Sequence, residues 1–436
     1  MDRFLAGFGR CDITPEGPTR INSSRVSDHV LDPLYITCVA VSDGENTALM
    51  ITVDVRNVYK HIVEPGFAAI TEATGVPQDH IFLTATHNHS APDVSNLNDE
   101  SIQRYLTDIF FPCLTQCAEK AMRDLSPATL SVAAGETEPM NHVRRIQLAD
   151  GSWKGPNTAN KSTADRLRHE SEADHQLRLI RFHRETGKDI VMANWQAHAT
   201  RTASTDSLAI SADYIGACRS LVEQQENVLF AYYQGAAGNV NFVTRIPGRL
   251  RYIEHTEIGK SLSNTVSGLL ENAKPVKTGA VQIKNFGYIA TVDHGRRHLF
   301  DAAMQIHLEK DPDKRQQLQD TYGIASGYEA CAIIRRQDLD ATNVIPLSAV
   351  CFGDVGIAFT PQEMFDTNGM QLRAASPFKM TFSCAYTNGS FSYMPSAGAF
   401  PHGEYEVFQC DYVPGTGEAC ALELARLLNE AKKEQE

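Results

Sequence analysis

Nowhere in the 436 residues does an apolar run reach membrane-spanning length, and the opening MDRFLAGFGR lacks the apolar stretch that a secretion signal needs. Stable membrane insertion is therefore not expected, and the chain reads as cytoplasmic. No Lys/Arg-rich run offsets a formal net charge of -13 and a pI near 5.6, which argues against nucleic acids and anionic membrane surfaces as partners. The ten cysteines include no CxxC pair, and Cys38, Cys351 and Cys384 lie in strand-like apolar runs. Buried free thiols are expected rather than a disulfide framework or a cysteine-zinc site. The GxGxxG and Walker spacings are missing as well, which leaves no phosphate cradle of either type. What remains is ordinary for a globular chain, 42% hydrophobic and 21% charged. The length allows two or three domains, or one large α/β domain with insertions.

Strand and helix patterns alternate along the chain. An entry strand over 7–15, closed by a proline turn, leads to apolar strands at 34–41 and 47–53, a helix over 65–74 stopped by Gly75, and a strand at 81–86. Apolar residues at helical spacing (Ile102, Leu106, Ile109, Leu114, Ala118, Met122) predict a long amphipathic helix over 101–125 that covers a sheet face. From Met140 to Asp174 the chain is polar and rich in turn formers, and reads as a long loop over the surface or the site. A hairpin around Thr186-Gly187 joins strands 176–183 and 190–196, followed by a helix over 211–225, a strand at 228–234 and a helix over 254–273. A charged, largely helical insertion is expected near 298–345, with a helix over 298–321, and strands follow at 349–352, 356–359 and 380–386. The fold class is α/β, with mixed β-sheets flanked by helices in a mostly single domain over 1–436.

Several polar stations on this frame carry chemistry. His87 and His89 close the apolar run Ile81 to Thr86. On an extended chain, residues i and i+2 point to one side, so both imidazoles can address one site; two solvated or hydrogen-bonded strand-end histidines are the alternative. A second strand end, Gln196 to Thr200, makes His198 a third candidate ligand. Arg144 and Arg145, beside Asn141 and His142, either grip a substrate carboxylate or carbonyl or are solvated charge. Asp213 reads as a helix N-cap. The small residues from Gly235 to Asn241 allow backbone to approach a ligand or metal closely, although such runs are also common tight connections. Glu363 stands where a strand gives way to a helix, as a complement to the helix dipole or as a ligand. Tyr393 and Tyr405 lie in Gly- and Pro-rich loops, where tyrosines usually pack or face solvent.

Taken together and in order, these segments resemble the catalytic domain of the neutral, non-lysosomal ceramidases and their smaller bacterial relatives. The segments are Gly7 to Pro15, Thr86 to Pro92 (THNHSAP), His198, Ser211 to Tyr214 (SADY), Gln234 to Asn241, Pro361 to Glu363, and Tyr393 with Tyr405-Glu406. The resemblance runs from residue 7 to about 412. It implies a Zn2+ site made by His87, His198, Glu363 and Tyr393, with His89 and Tyr405 beside the substrate as catalytic groups and Arg144 as a further carry-over. Two imidazoles and a carboxylate agree with that, being a familiar ligand set for catalytic zinc.

In two places the chain departs from the family pattern. Where the family carries G-D-V-S-P-N, this chain has Gly238-Asn239-Val240-Asn241-Phe242, so the proposed nucleophilic serine is absent and water is the better attacker. The chain also ends at Glu436 without the C-terminal β-sandwich of the large ceramidases. The expectation is a zinc-dependent hydrolase that cleaves an amide, or an ester, in a small polar substrate. A lactonase or deacylase acting on a sugar-like compound, a true ceramidase, and an inactive scaffold with a binding role are the alternatives.

Overall fold

The structure is a computed structural model that describes residues 4–21, 25–156, 165–242, 246, 254–389 and 392–435. Two β-sheets pack face to face, and helices cover their outer faces. Strands β1 (Leu5–Asp12), β2 (Tyr35–Ser42), β3 (Thr47–Val53) and β4 (Ile81–Ala85) make one half of the larger sheet, and β5 (Ser126–Glu136), β6 (Gln176–Arg184), β7 (Ile190–Trp195) and β8 (Leu229–Gln234) make the other. Their spatial order is β8, β7, β6, β5, β1, β2, β3, β4, with Lys274–Val276 alongside β5 as the ninth strand. The pairs β3/β4 and β7/β8 are parallel and the rest antiparallel, so the sheet is mixed. Downstream, β9 (Val281–Thr291), β10 (Thr342–Phe352), β11 (Val355–Phe359) and β13 (Met380–Cys384) form a four-stranded sheet. The two-residue strands β12 (Glu363–Met364) and β14 (Tyr393–Met394) pair with each other.

Side-chain alternation divides each central strand between two cores. Ile36, Cys38 and Ala40 of β2, with Leu49, Ile51 and Val53 of β3, face helices α1 (Lys60–Thr74) and α2 (Phe111–Arg123). Val39, Val41, Ala48 and Met50 face the second sheet, where Phe82 stacks on Phe359 at 4.7 Å. With both faces buried, such strands read as continuous apolar runs rather than as alternation. Helices α3 (Asp213–Glu226) and α4 (His255–Glu271) cover β6 to β8, and two further helices, α5 (Asp366–Ala374) and α6 (Thr416–Gln435), complete the shell around the second sheet. One contact is unusually close. A Cβ on Gly7 would lie 2.1 Å from the Ala121 carbonyl oxygen, and one on Gly9 2.0 Å from that of Cys117. Glycine at both positions lets α2 rest directly on β1.

The α/β class, the hairpin and most of the expected elements are present, with informative differences. The amphipathic helix over 101–125 is continuous from Glu100 to Arg123 but passes through a π-helical segment at Tyr105–Phe110. Helix α1 starts at Lys60, ahead of Pro65. The expected helix over 298–321 divides into Phe300–Leu308 and Pro312–Tyr322, because Asp311 caps a new start with Pro312 in its first turn. Within 140–174, the expected loop carries short strands at His142–Val143, Ile146–Leu148, Trp153–Lys154 and Arg166–His169, and its residues 157–164 lie outside the described ones. Strands β5 and β9 and helix α6 had no counterpart in the sequence reading. All ten cysteines are free, eight of them buried as expected and Cys113 and Cys331 partly exposed. Among the described residues, no helix is long and apolar enough to cross a membrane.

Candidate metal centre

The two turns that carry histidines come from β4 and β7, which are not neighbours in the sheet. Gln234, the last residue of β8, ties them together: its Nε2 donates to the Thr86 carbonyl at 2.9 Å and to the Ala197 carbonyl at 2.8 Å. The His89 amide adds a hydrogen bond to the Ala199 carbonyl at 3.0 Å. Sequence reasoning attributed the convergence of His87 and His89 to strand alternation, and here the structure differs. Strand β4 stops at Ala85, and His87 adopts a left-handed conformation with φ of 58°. A turn, not a pleat, brings the two Nε2 atoms to 3.2 Å, while the Asn88 side chain donates to the Ser211 carbonyl and anchors that turn.

Each inner imidazole has its far nitrogen fixed. Nδ1 of His87 lies 2.9 Å from the Arg56 carbonyl oxygen, and Nδ1 of His198 lies 2.8 Å from that of Ala237. A carbonyl only accepts, so Nδ1 carries the proton in both rings and Nε2 presents its lone pair. Burial holds both rings well below the usual histidine range, so they are neutral at pH 7. Facing them is Glu363 Oε2, 3.4 Å from His87 Nε2 and 3.3 Å from His198 Nε2, buried and without a hydrogen-bond partner.

Two imidazole nitrogens and a carboxyl oxygen therefore converge in a buried place, an arrangement that a cation would satisfy. The spacing suits zinc, because ligands about 2.0–2.1 Å from a tetrahedral ion lie about 3.3 Å from one another. Tyr393 extends the set, with its hydroxyl 3.5 Å from His198 Nε2. The ligand nitrogens of His87, His89 and His198 also lie within 4.8 Å of one another.

Glu363 and Tyr393 arrive together for a local reason. They are direct partners in the parallel pair β12/β14, which sets their side chains side by side. The expected helix start at Glu363 is displaced: α5 begins at Asp366, and Glu363 sits in a strand. Behind it, a Cβ on Gly238 would lie 2.3 Å from the Glu363 carbonyl oxygen, and the Gly238 amide donates to the Met364 carbonyl at 2.8 Å. The small-residue run thus approaches the backbone of the glutamate strand. Next to it, Asn239 donates to Asp366 at 2.7 Å and accepts the Asp366 amide at 2.9 Å.

Around this cluster, Arg144 is buried, donating from Nε to Glu406 at 2.7 Å and from Nη2 to the Tyr393 hydroxyl at 3.0 Å. Arg145 reaches the other Glu406 oxygen at 3.1 Å. The Tyr405 ring lies 5.5 Å from that of Tyr393, and burial lifts its phenol to about 12, so it stays protonated. His89 is half-buried and borders a tight cleft with about 10 Å³ of free space, lined by the polar Arg56, Asn57, Asn88 and Asp93 and by Tyr59, Ala91, Pro92 and Val94. Asn241 is turned to its own surroundings, where Oδ1 accepts the Phe242 amide at 2.7 Å and the Thr200 hydroxyl at 3.4 Å. Asp213, read as an N-cap, is instead the first residue of α3, fully buried and accepting the Thr202 amide at 2.8 Å.

Two residues of the site escaped sequence reasoning. Tyr386 stacks on His87 with ring centroids 4.2 Å apart, has φ of 57°, and buries a hydroxyl without a partner. Its only trace in the sequence is its place at a strand end before Thr387-Asn388-Gly389. The bridging role of Gln234 had no local signal at all, since its two partners come from distant turns.

No family model matches the sequence. In structure, 99% of the chain aligns with 75% of neutral ceramidase from Pseudomonas aeruginosa, with a TM-score of 0.74 and 16% identity. A ceramidase complexed with C2 aligns over 100% of this chain and 76% of its own, again with a TM-score of 0.74 and 16% identity. The chain therefore has a neutral ceramidase-like α/β fold over its whole length, in agreement with the resemblance read from its motifs.

Proposed function

We propose that this neutral ceramidase-like chain is a zinc-dependent hydrolase that cleaves an amide or ester bond in a small polar substrate by attack of water. The observation that carries this reading is the buried, unpartnered Glu363 Oε2 between two imidazole lone pairs. His87, His198, Glu363 and Tyr393 are the ligands, and a borderline metal suits this mixed nitrogen and oxygen set better than magnesium or calcium. Bound there, zinc supplies Lewis acidity, polarising a carbonyl and making water acidic enough to attack near neutral pH.

The remaining work falls to the chain. Burial keeps His89 neutral on the cleft side of the cluster, where it donates to a developing oxyanion or returns a proton to the leaving group. Tyr405, protonated at working pH, is the second donor toward that oxygen. Arg144 braces Tyr393 from behind through the ion pair with Glu406. Asn241 offers no nucleophile, which leaves water as the attacker.

The polar groups around the cluster, among them His89, Arg144 and Tyr405, support a small polar substrate. A site built for hydrogen bonds is penalised when an apolar chain leaves them unpaired. Cleavage of a ceramide-type amide is the second reading, favoured by the fold shared with ceramidases. The deciding experiment loads the protein with zinc and profiles N-acyl amines of varied chain length, lactones and acetylated sugars. Soluble short-chain or sugar-like compounds are expected to show the higher kcat/KM. Ceramide in detergent micelles emerging as the best substrate would establish the second reading instead.

A further inference from the structure

Far from the histidines, the close packing of α2 on β1 gathers three thiols. Residues 7, 9 and 11 of β1 share one face of the strand. Gly7 lies against Ala121 and Gly9 against Cys117, so Cys11 meets the next turn of the helix, between Cys113 and Cys117. Both of those thiols are close enough to the Cys11 sulfur to act on it electrostatically. Lys120 Nζ donates to the same sulfur at 3.3 Å, and the Cys11 thiol, while protonated, donates to Gln116 Oε1 at 3.1 Å. An ammonium and neighbouring thiols stabilise a thiolate, which is the reactive form of cysteine. The neighbouring Cys117 thiol together with Lys120 pushes the Cys11 thiol down to about 6.

The two helix cysteines are not equivalent. Cys117 is sealed, donating to the Ile36 carbonyl at 3.4 Å, and burial raises it well above the usual thiol range. Cys113 is partly exposed at a surface cleft it shares with Asp12, Thr14 and Asp108, and donates to the Asp12 carbonyl at 3.3 Å. Asp12 is the chain neighbour of Cys11, so this bond holds Cys113 next to that strand position.

We infer that Cys11 is a peroxide-oxidised site, and that Cys113 resolves the oxidised sulfur into a Cys11–Cys113 disulfide between β1 and α2. The Cys11 thiolate attacks one peroxide oxygen, the O–O bond breaks, and the sulfur becomes a sulfenic acid while hydroxide leaves. The Cys113 sulfur, giving up its proton, then attacks the sulfenic sulfur, the S–O bond breaks and water departs. In sum, two thiols are oxidised and one peroxide is reduced to two waters. Cys11 itself is only 4% exposed, which suits a small oxidant and disfavours bulky thiol reagents.

The test treats the intact protein with limiting hydrogen peroxide and maps tryptic peptides by mass spectrometry. The Cys11 peptide CDITPEGPTR linked to YLTDIFFPCLTQCAEK, lighter by two hydrogens, is expected as the first oxidised product. Cys113→Ser is expected to stop at a dimedone-trappable sulfenic acid on Cys11, while Cys117→Ser still cross-links. Lys120→Gln is expected to slow Cys11 oxidation by about threefold or more by removing the cation beside the thiolate. Oxidation of the other partly exposed thiol, Cys331, ahead of Cys11 would overturn the inference. So would normal cross-linking in Cys113→Ser.

Discussion

Replacing Gly238 with alanine tests the metal centre without touching any proposed ligand. The new Cβ would fall 2.3 Å from the Glu363 carbonyl oxygen, 2.9 Å from its carbonyl carbon and 3.0 Å from the Met364 carbonyl oxygen. Backbone atoms cannot swing aside as a side-chain tip can. Reaching the 3.0 Å that real Cβ contacts require therefore moves the Glu363 strand, or the Gly235 to Asn241 turn, by about 0.7 Å. The turn is also fastened, since the His198 ring donates to Ala237 and the Asn239 side chain is locked to Asp366. The displacement consequently appears in the distance from Glu363 to the two imidazoles. Loss of orienting contacts typically costs about 10- to 100-fold in metal affinity, and a misplacement near 1 Å about 100-fold in rate. Gly238→Ala is expected to weaken zinc binding by at least tenfold, with overpacking costing about 1–3 kcal/mol of stability. Competition with a chromophoric chelator measures the first, and urea unfolding of the metal-free protein measures the second. Gly398→Ala is the control, since a Cβ there meets nothing within 4 Å. Zinc affinity and turnover in Gly238→Ala equal to those of the control would refute the reasoning.

Elemental analysis is expected to find about one zinc per chain, with His87→Ala, His198→Ala and Glu363→Ala each losing metal and activity; full metal content in all three would show that the ligands lie elsewhere. His89→Ala is expected to keep zinc while losing on the order of 100-fold in turnover, and loss of zinc as readily as in His87→Ala would make His89 a ligand. Gln234→Leu strands the Thr86 and Ala197 carbonyls, so thermal and urea unfolding are expected to show about 2–4 kcal/mol of lost stability. Burial alone would raise the Glu406 carboxyl, but Arg144 and Arg145 outweigh it and hold it below the usual range. Its contribution is therefore full above the ordinary carboxylate value near pH 4 and is lost as pH falls through the lower folded value. Glu406→Gln is expected to cost about 3 kcal/mol at pH 7 and to flatten the stability profile below pH 4; an unchanged profile would show that the ion pair is not felt.

The strands of the two cores were legible because both of their faces are buried, so that segments such as 47–53 and 81–86 are uninterrupted apolar runs. Strands β5 and β9 are partly exposed, with polar residues mixed in, and no simple period marks them. Helix boundaries moved where capping chemistry decided them, as at Asp311-Pro312. The resemblance proposed His87, His198, Glu363 and Tyr393 as ligands and these four side chains do lie together, yet the reason His87 and His89 converge was misread. Nothing in THNHSAP shows that His87 takes a left-handed conformation, because the strain is imposed by Asn88 and by partners on distant turns. Tyr386 and the bridging role of Gln234 were invisible for the same reason: their parts depend on neighbours that only the tertiary fold supplies.

The order in which the Gln234 bridge and its surroundings are synthesised has a consequence for metal choice. All eight strands along the main path of the larger sheet, and all three histidines, precede residue 235. On a ribosome that part of the chain emerges while Glu363 and Tyr393 are still untranslated, and N-terminal portions fold first. Three imidazoles without a carboxylate form a softer, less selective trap, one in which copper outcompetes zinc. The proposed preference for zinc therefore rests on Glu363 and Tyr393, the last of the four candidate ligands to be synthesised.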